Sequence, residues 1–342
     1  MPTVKPFRAL RYDTAVAGPL DRLVAPPYDV ISDEARADYL ARSPYNIVHL
    51  TLPDSPEDAA RDLAAWRNDG VLAEDDERYW WVAQEYVGPD GVARTREGLA
   101  AAIPVTPYAD REVLPHERTH AGPKEGRLRV LRATHAQLEP IFVLYDGDPR
   151  VEAPGGTPLL DVEESGVRTR LWPVAAHGEL EFDTPFLIAD GHHRYETAVA
   201  YREENPSATH MFAVLVSTRA PGLEIFPTHR LVQRVGDVPG TEIERPNGGV
   251  TLYRDGRYLR VQTDDDFGPR VVDALRPEGV TYTADAKAAV AAVDRGEAAA
   301  AFLLEPVTVE QVAHFARAGE TMPQKSTFFY PKLTSGLLVY PL

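Results

Sequence analysis

Apolar positions along this chain alternate between two periods. Between residues 56 and 69, Ala59, Ala60, Leu63 and Trp66 recur at helical spacing and Asn68-Asp69-Gly70 closes the run, which predicts an amphipathic helix. Helices are also expected from the cap Ser32 to about Arg42, and over Lys124–Ala136, His192–Glu204, Ala286–Val293 and Thr308–Ala318. Alternating or short continuous apolar runs predict strands at Phe7–Tyr12, Asn46–Leu52, Tyr79–Tyr86, Arg94–Ala101, Ile141–Tyr145, Leu171–Ala175, Phe186–Ala189, Met211–Val216, Ala299–Leu304 and Leu337–Tyr340. Pro89-Asp90-Gly91 reads as a hairpin turn, and Arg254-Asp255-Gly256 as another between Val250–Tyr253 and Tyr258–Gln262. Meander and helix segments are mixed, so an α+β or mixed α/β fold is expected rather than a doubly wound one.

Composition narrows this picture. With 342 residues, 44% of them apolar, the chain can bury a large core in one or two domains. The net charge of -16 argues against long nucleic acid as a partner, because such a surface repels phosphates. The basic cluster Lys124, Arg127, Arg129 and Arg132 is short, lacks interleaved aromatics, and reads as a solvated helix face or a local anion site. The absence of cysteine excludes thiol catalysis, disulfides and Cys-ligated metal. No apolar run approaches a membrane span, and a cytoplasmic location is expected.

The strongest chemical signal is Asp190-Gly191-His192-His193-Arg194, placed where an apolar strand becomes a helix. Gly191 permits a sharp turn. The following amides lack helical partners and attract phosphate or carboxylate, and Arg194 adds a charged fork suited to an anion. His192 and His193 can shuttle a proton near neutral pH; Asp190 can orient a histidine, hold Mg²⁺ or act as a base. His116-Glu117-Arg118-Thr119-His120 matches the zinc-peptidase pattern. Pro115 and Gly122-Pro123 flank it closely, however, which favours a polar loop turning Glu117 and Lys124 toward a ligand. Thr228-His229-Arg230 suits a second anion contact or an ordinary helix start. Lys325, before Phe328, Phe329 and Tyr330, can reach a phosphate while the aromatics stack on a base or fill the core. No Walker loop, Rossmann glycine signature or nucleophile elbow occurs.

Six phrases in order, Val24–Ile31, Ser43–Val48, Leu114–Thr119, Asp190–Ala198, Pro227–Arg230 and Met322–Lys332, resemble the DUF1015 family of bacterial and archaeal proteins. Asp190–Arg194 is further similar to the signature turn of the ParB/sulfiredoxin-like fold, and to a stretch of free-serine kinases that use ADP or ATP. The resemblance implies a ParB/sulfiredoxin-like domain with large insertions over 1–235, and a C-terminal α/β region over 236–342 packed against it. It also implies a nucleotide (ATP, ADP or CTP) held at Gly191–Arg194, with Asp190 or a histidine assisting transfer. The leading expectation is a nucleotide-dependent phosphotransferase or nucleotide hydrolase acting on a small hydroxylated metabolite. Arg194, Lys124, Lys325 and Arg230 would neutralise phosphate, Glu117 or Asp190 would accept the acceptor's proton, and a carboxylate such as Asp190 would hold Mg²⁺. Two alternatives are a nucleotide-binding regulatory or partition-like protein, and a metal-dependent hydrolase using His116, His120 or the paired histidines.

Overall fold

The fold is described here from a computed structural model, which covers residues 1–117, 121–176 and 178–342. It is mixed α/β. Its centre is an eight-stranded sheet built from β1 (Arg78–Val87), β2 (Ala93–Pro104), β3 (Val113–Leu114), β4 (Ile141–Tyr145), β5 (Leu160–Glu164), β6 (Val167–Ala175), β7 (Phe186–Asp190) and β8 (His210–Ser217). The strand order is β3-β7-β4-β8-β2-β1-β6-β5. Pairs β3–β7 and β4–β8 are parallel and the other neighbours antiparallel. The predicted hairpin around Pro89-Asp90-Gly91 is β1–β2.

This sheet is buried on both faces, which explains its continuous apolar strands. Trp80, Val82, Ala100, Ala102, Phe212 and Val214 feed one core; Tyr79, Trp81, Leu99, Ala101, Met211 and Ala213 feed the other. The helix His192–Glu204 covers the second face with Tyr195 and Ala198. The first face is covered by residues 307–338, including Val312, Ala316, Phe329 and Leu337.

Before the sheet, a helix at Asp33–Arg42 is capped by the Ser32 hydroxyl and another at Pro56–Asn68 by Ser55, as the sequence predicts for the first. The second buries Ala59, Leu63 and Trp66. Asn46–Leu52, expected as a strand, instead forms a short helix over Val48–Thr51. The Asn46 side chain accepts from the Val48 amide at 3.0 Å and donates to the Arg22 and Val24 carbonyls, so a long-range anchor overrides strand propensity. Leu160–Glu164 and Val167–Ala175 form a hairpin absent from the sequence expectation.

After β8 the chain builds a second, antiparallel six-stranded sheet. Its order is Gly240–Ile243, Arg257–Val261, Thr251–Arg254, Ala300–Leu303, His229–Val232, Thr281–Thr283, with helices at Gly268–Ala274 and Ala286–Asp294. The expected boundary at 235/236 lies between two strands of this sheet. Residues beyond Leu303 return to the large sheet, where Phe328–Tyr330 pairs with Glu224–Phe226. None of the helices is long and apolar enough to cross a membrane among the described residues.

Candidate functional site

The pentad lies at the end of β7. Alternation would send Asp190 to the same face as Ile188, but the register against β4 shifts between these two residues, pairing Ile188 with Val143 and Asp190 with Phe142. This bulge turns the Asp190 carboxylate to the Phe142 face, under the returning tail. Gly191 then takes φ 97°, ψ 27° and opens the helix as its cap residue. A Cβ there would lie 2.7 Å from Ile141 Cγ2. Both the backbone sign and the space therefore demand glycine. The first intrahelical bond runs from the Tyr195 amide to the Gly191 carbonyl, and no side chain caps the turn. The amides of His192, His193 and Arg194 precede that bond at the positive end of the helix.

Asp190 is embedded in cations. Arg194 Nη2 donates to Oδ2 at 2.7 Å, and the Lys332 ammonium donates to Oδ1. Burial alone would raise the carboxyl's pKa, but Lys332 and then Arg194 outweigh it and hold it well below the carboxylate range. Asp190 is thus ionised, with each oxygen engaged, which makes it a poor base. Arg194 also donates to the Pro140 carbonyl. Beside it, buried Glu139 accepts from the Tyr28 amide at 2.9 Å and the Ser335 hydroxyl at 2.8 Å. Arg127 lies 4.3 Å over the Tyr28 ring. Arg127, Glu139 and Arg194 line one cleft with Leu131, Ala198 and Met211.

Lys332 is positioned from below by two paired residues of β1 and β2. Gln84 Nε2 donates to the Lys332 carbonyl at 3.1 Å, and Arg96 Nη2 to the Pro331 carbonyl at 2.7 Å. The Arg96 guanidinium stacks 4.4 Å from the Phe142 ring, and burial pushes its pKa down to about 10.

On the other side, β3 runs parallel to β7 in the register Val113–Phe186 and Leu114–Leu187, which carries His116 and Glu117 alongside the pentad. The His116 amide donates to His192 Nε2 at 3.4 Å. Nδ1 of His116 donates to the Ile188 carbonyl at 2.7 Å, and its Nε2 accepts from the Thr327 hydroxyl at 2.9 Å. Burial drives both imidazoles toward the neutral form, His116 to about 4 and His192 well below its ordinary value. Glu117 accepts from the Lys325 amide at 2.6 Å; its pKa is raised by burial, partly opposed by that bond. The upward shift favours the protonated form of Glu117 and makes it a candidate proton acceptor beside the pentad.

The structure thus joins Glu117, Asp190, Gly191, His192, His193 and Arg194 in one place. Lys124 reaches the pentad helix too, 3.8 Å from Glu196. Lys325 contributes its backbone, in a left-handed conformation at φ 54°, while its side chain is exposed. Thr228-His229-Arg230 begins a strand, not a helix, and its partners belong to the six-stranded sheet: Leu304 for His229, Asp273 and Tyr282 for Arg230. His120, the second histidine of the zinc pattern, lies outside the described residues. Both nitrogens of His116 are taken, and no group of three His, Asp or Glu side chains is placed to hold a metal among the described residues. A resident Mg²⁺ does not fit at Asp190, whose oxygens already carry two cations. Sequence reasoning passed over Lys332, Arg96 and Glu139 as site residues, while Arg127 entered only within the basic cluster weighed as a local anion site. Lys332 stood inside a quoted family phrase, but nothing local tied it to a residue 142 positions away.

Comparison by sequence with curated proteins gives no match. Among solved structures, a free serine kinase in complex with AMP is similar at 15% identity over 65% of this chain and 86% of that one, with a TM-score of 0.40. SbnI with a C-terminal truncation, from Staphylococcus aureus, is similar at 13% identity over 68% and 84%, with a TM-score of 0.43. A conserved hypothetical protein from Pyrococcus furiosus is similar at 16% identity over 65% and 90%, with a TM-score of 0.37. These likenesses are distant, and the functional reading below does not rest on them. The sequence matches the model of a protein family of unknown function, DUF1015, over residues 4–245, and the chain belongs to that family.

Proposed function

We propose that the protein binds a nucleotide at the Gly191 turn and transfers a phosphoryl group to a small hydroxylated metabolite, or to water. The observation that carries this reading is a helix start with no side-chain cap set beside Arg194 and Lys332, with Glu117 just past the end of the adjoining strand. Amides and fixed cations suit phosphate oxygens and stabilise the charge that develops on them. The resemblance of the pentad to the ParB/sulfiredoxin turn supports the same ligand class.

In this scheme the amides of residues 192–194 bind phosphate oxygens, and Arg194, held by Asp190 and the Pro140 carbonyl, supplies positive charge beside them. Asp190 positions Arg194 and Lys332. The acceptor oxygen attacks phosphorus, the bond to the nucleotide's bridging oxygen breaks, and Glu117 receives the acceptor's proton. His192 and His116, both neutral, keep β3 against the pentad. No step passes through a metal held by the protein.

Calorimetry with a panel of ATP, ADP and CTP tests the binding step on wild type and Arg194→Ala. One nucleotide should bind wild type, and the variant should bind it at least tenfold more weakly while keeping its circular dichroism. Equal affinity, or no binding to any nucleotide, overturns the reading. Glu117→Gln should keep binding and lower turnover by about 10²-fold or more, the usual yield of general base catalysis. Binding without turnover in wild type would instead support the regulatory reading.

A further inference from the structure

Arg230 is only 1% exposed, yet neither terminal nitrogen of its guanidinium has a hydrogen-bond partner among the described residues. Asp273 Oδ1 stands 3.9 Å from Nη2, outside hydrogen-bond range, on a half-exposed side chain. The Tyr282 ring lies 5.8 Å from the guanidinium carbon. Two residues earlier, the Thr228 hydroxyl is buried and likewise without a partner. Between them, His229 is tied through Nδ1 to the Leu304 amide at 3.1 Å, which fixes the chain. Thr228 immediately precedes the strand that carries Arg230, so three buried side-chain donor atoms without hydrogen bonds fall within three consecutive residues.

A buried guanidinium without hydrogen bonds is costly, and apolar replacement of such a group commonly stabilises a fold. The segment also lies at a junction. Glu224–Phe226 pairs with Phe328–Tyr330 beside the large sheet, and His229–Val232 enters the six-stranded sheet directly afterward.

We propose that Arg230 and Thr228 form a binding site for a two-oxygen anion, the carboxylate or phosphate group of a small molecule, separate from the Asp190–Arg194 cluster. The guanidinium fork takes two oxygens side by side, and the Thr228 hydroxyl supplies a third donor.

The test combines stability with side-chain NMR. Without added anion, Arg230→Met should melt above wild type, since it removes a buried guanidinium whose terminal nitrogens lack hydrogen bonds and whose ion pair with the exposed Asp273 spans 3.9 Å. In protein labelled with ¹⁵N-arginine, the signal missing from Arg230→Met should shift saturably with inorganic phosphate or with acetate, and not with chloride at equal ionic strength. A response to phosphate alone or to acetate alone identifies the ligand group; either supports the site. Thr228→Val should weaken the titration about tenfold, the worth of one hydrogen bond to a charged group. Arg230→Lys, which keeps the charge but loses the fork, should fold and bind more weakly if the Met variant fails to fold. An Arg230 signal unmoved by both anions overturns the proposal, as does an Arg230→Met variant that folds and melts below wild type.

Discussion

At the scale of the residue, Asp190 acts as a counter-ion, and this fixes what its loss would do. Asp190→Asn leaves Arg194 and Lys332 close together without a carboxylate, and should cost roughly 3–5 kcal/mol, the range for breaking a buried ion pair from one side. Adding Lys332→Met should recover part of that loss, because the second change removes one of the stranded charges. Urea unfolding of the two single variants and the double variant measures the coupling. The neutral histidines make a separate prediction. His116 has an ordinary value of 6.5, lowered by burial to about 4. The unfolded chain therefore binds a proton in this window that the native protein refuses, so stability is full above pH 6.5 and falls as pH drops toward 4. The loss from His116 should reach about 3 kcal/mol at the low end, following about 1.4 kcal/mol per unit. Urea unfolding between pH 7 and 5 should show this slope, and His116→Gln should flatten it. A pattern of residue types pointed to a polar centre here, since Asp190, Arg194 and two histidines after an apolar strand demand pairing. It did not assign the pairs: Asp190 with Lys332 and Glu117 with the Lys325 amide are contacts across 142 and 208 positions.

At the scale of the element, the decisive feature is the shift in register between Ile188 and Asp190 followed at once by Gly191. Strand alternation read from sequence would have turned the carboxylate toward the wrong core, because a bulge has no periodic signature. Gly191→Ala should destabilise by roughly 1–3 kcal/mol for the left-handed backbone alone, before the approach to Ile141 is added. On the function proposed above, the same variant should also bind nucleotide more weakly than wild type, and calorimetry beside urea unfolding reads both effects. Helices with strong periodicity were legible nearly to their ends: Thr308 caps Val309–Ala318, and Ala286–Asp294 differs from the expectation by one residue. The hairpin at Leu160–Ala175 carried a weaker signal, the dipeptide Ser165-Gly166. Both residues take positive φ, 53° and 76°, as a two-residue hairpin turn requires. The strand at 46–52 failed for the opposite reason, since the Asn46 anchors that coil it lie in the segment 22–24.

At the scale of the whole molecule, the large sheet is closed on one face by residues that follow the six-stranded sheet in the chain. Phe329 is 1% exposed and packs 5.7 Å from the Phe142 ring and 6.0 Å from His116. Phe329→Ala should therefore cost roughly 3–5 kcal/mol, as large aromatic deletions in cores do. The same deletion should loosen His116, seen as faster hydrogen exchange of the Met322 amide that bonds its carbonyl at 2.8 Å. An expected division of the chain into two consecutive blocks misses this arrangement, because sequence order does not reveal that a segment comes back.

That return also sets an order of assembly. The pentad, β3 and the basic helix are all made before residue 205, but the cover that carries Lys332, Thr327 and the Lys325 amide is made more than a hundred residues later. A ribosome-bound chain halted before Met322 would present Asp190 with Arg194 alone, and Glu117 without its amide. The full charge pattern around Asp190 would then come into being in a single late event, when the tail docks. Until that event the turn would lack the second cation, and on the reading proposed above a phosphate would find the complete site only once the tail has docked.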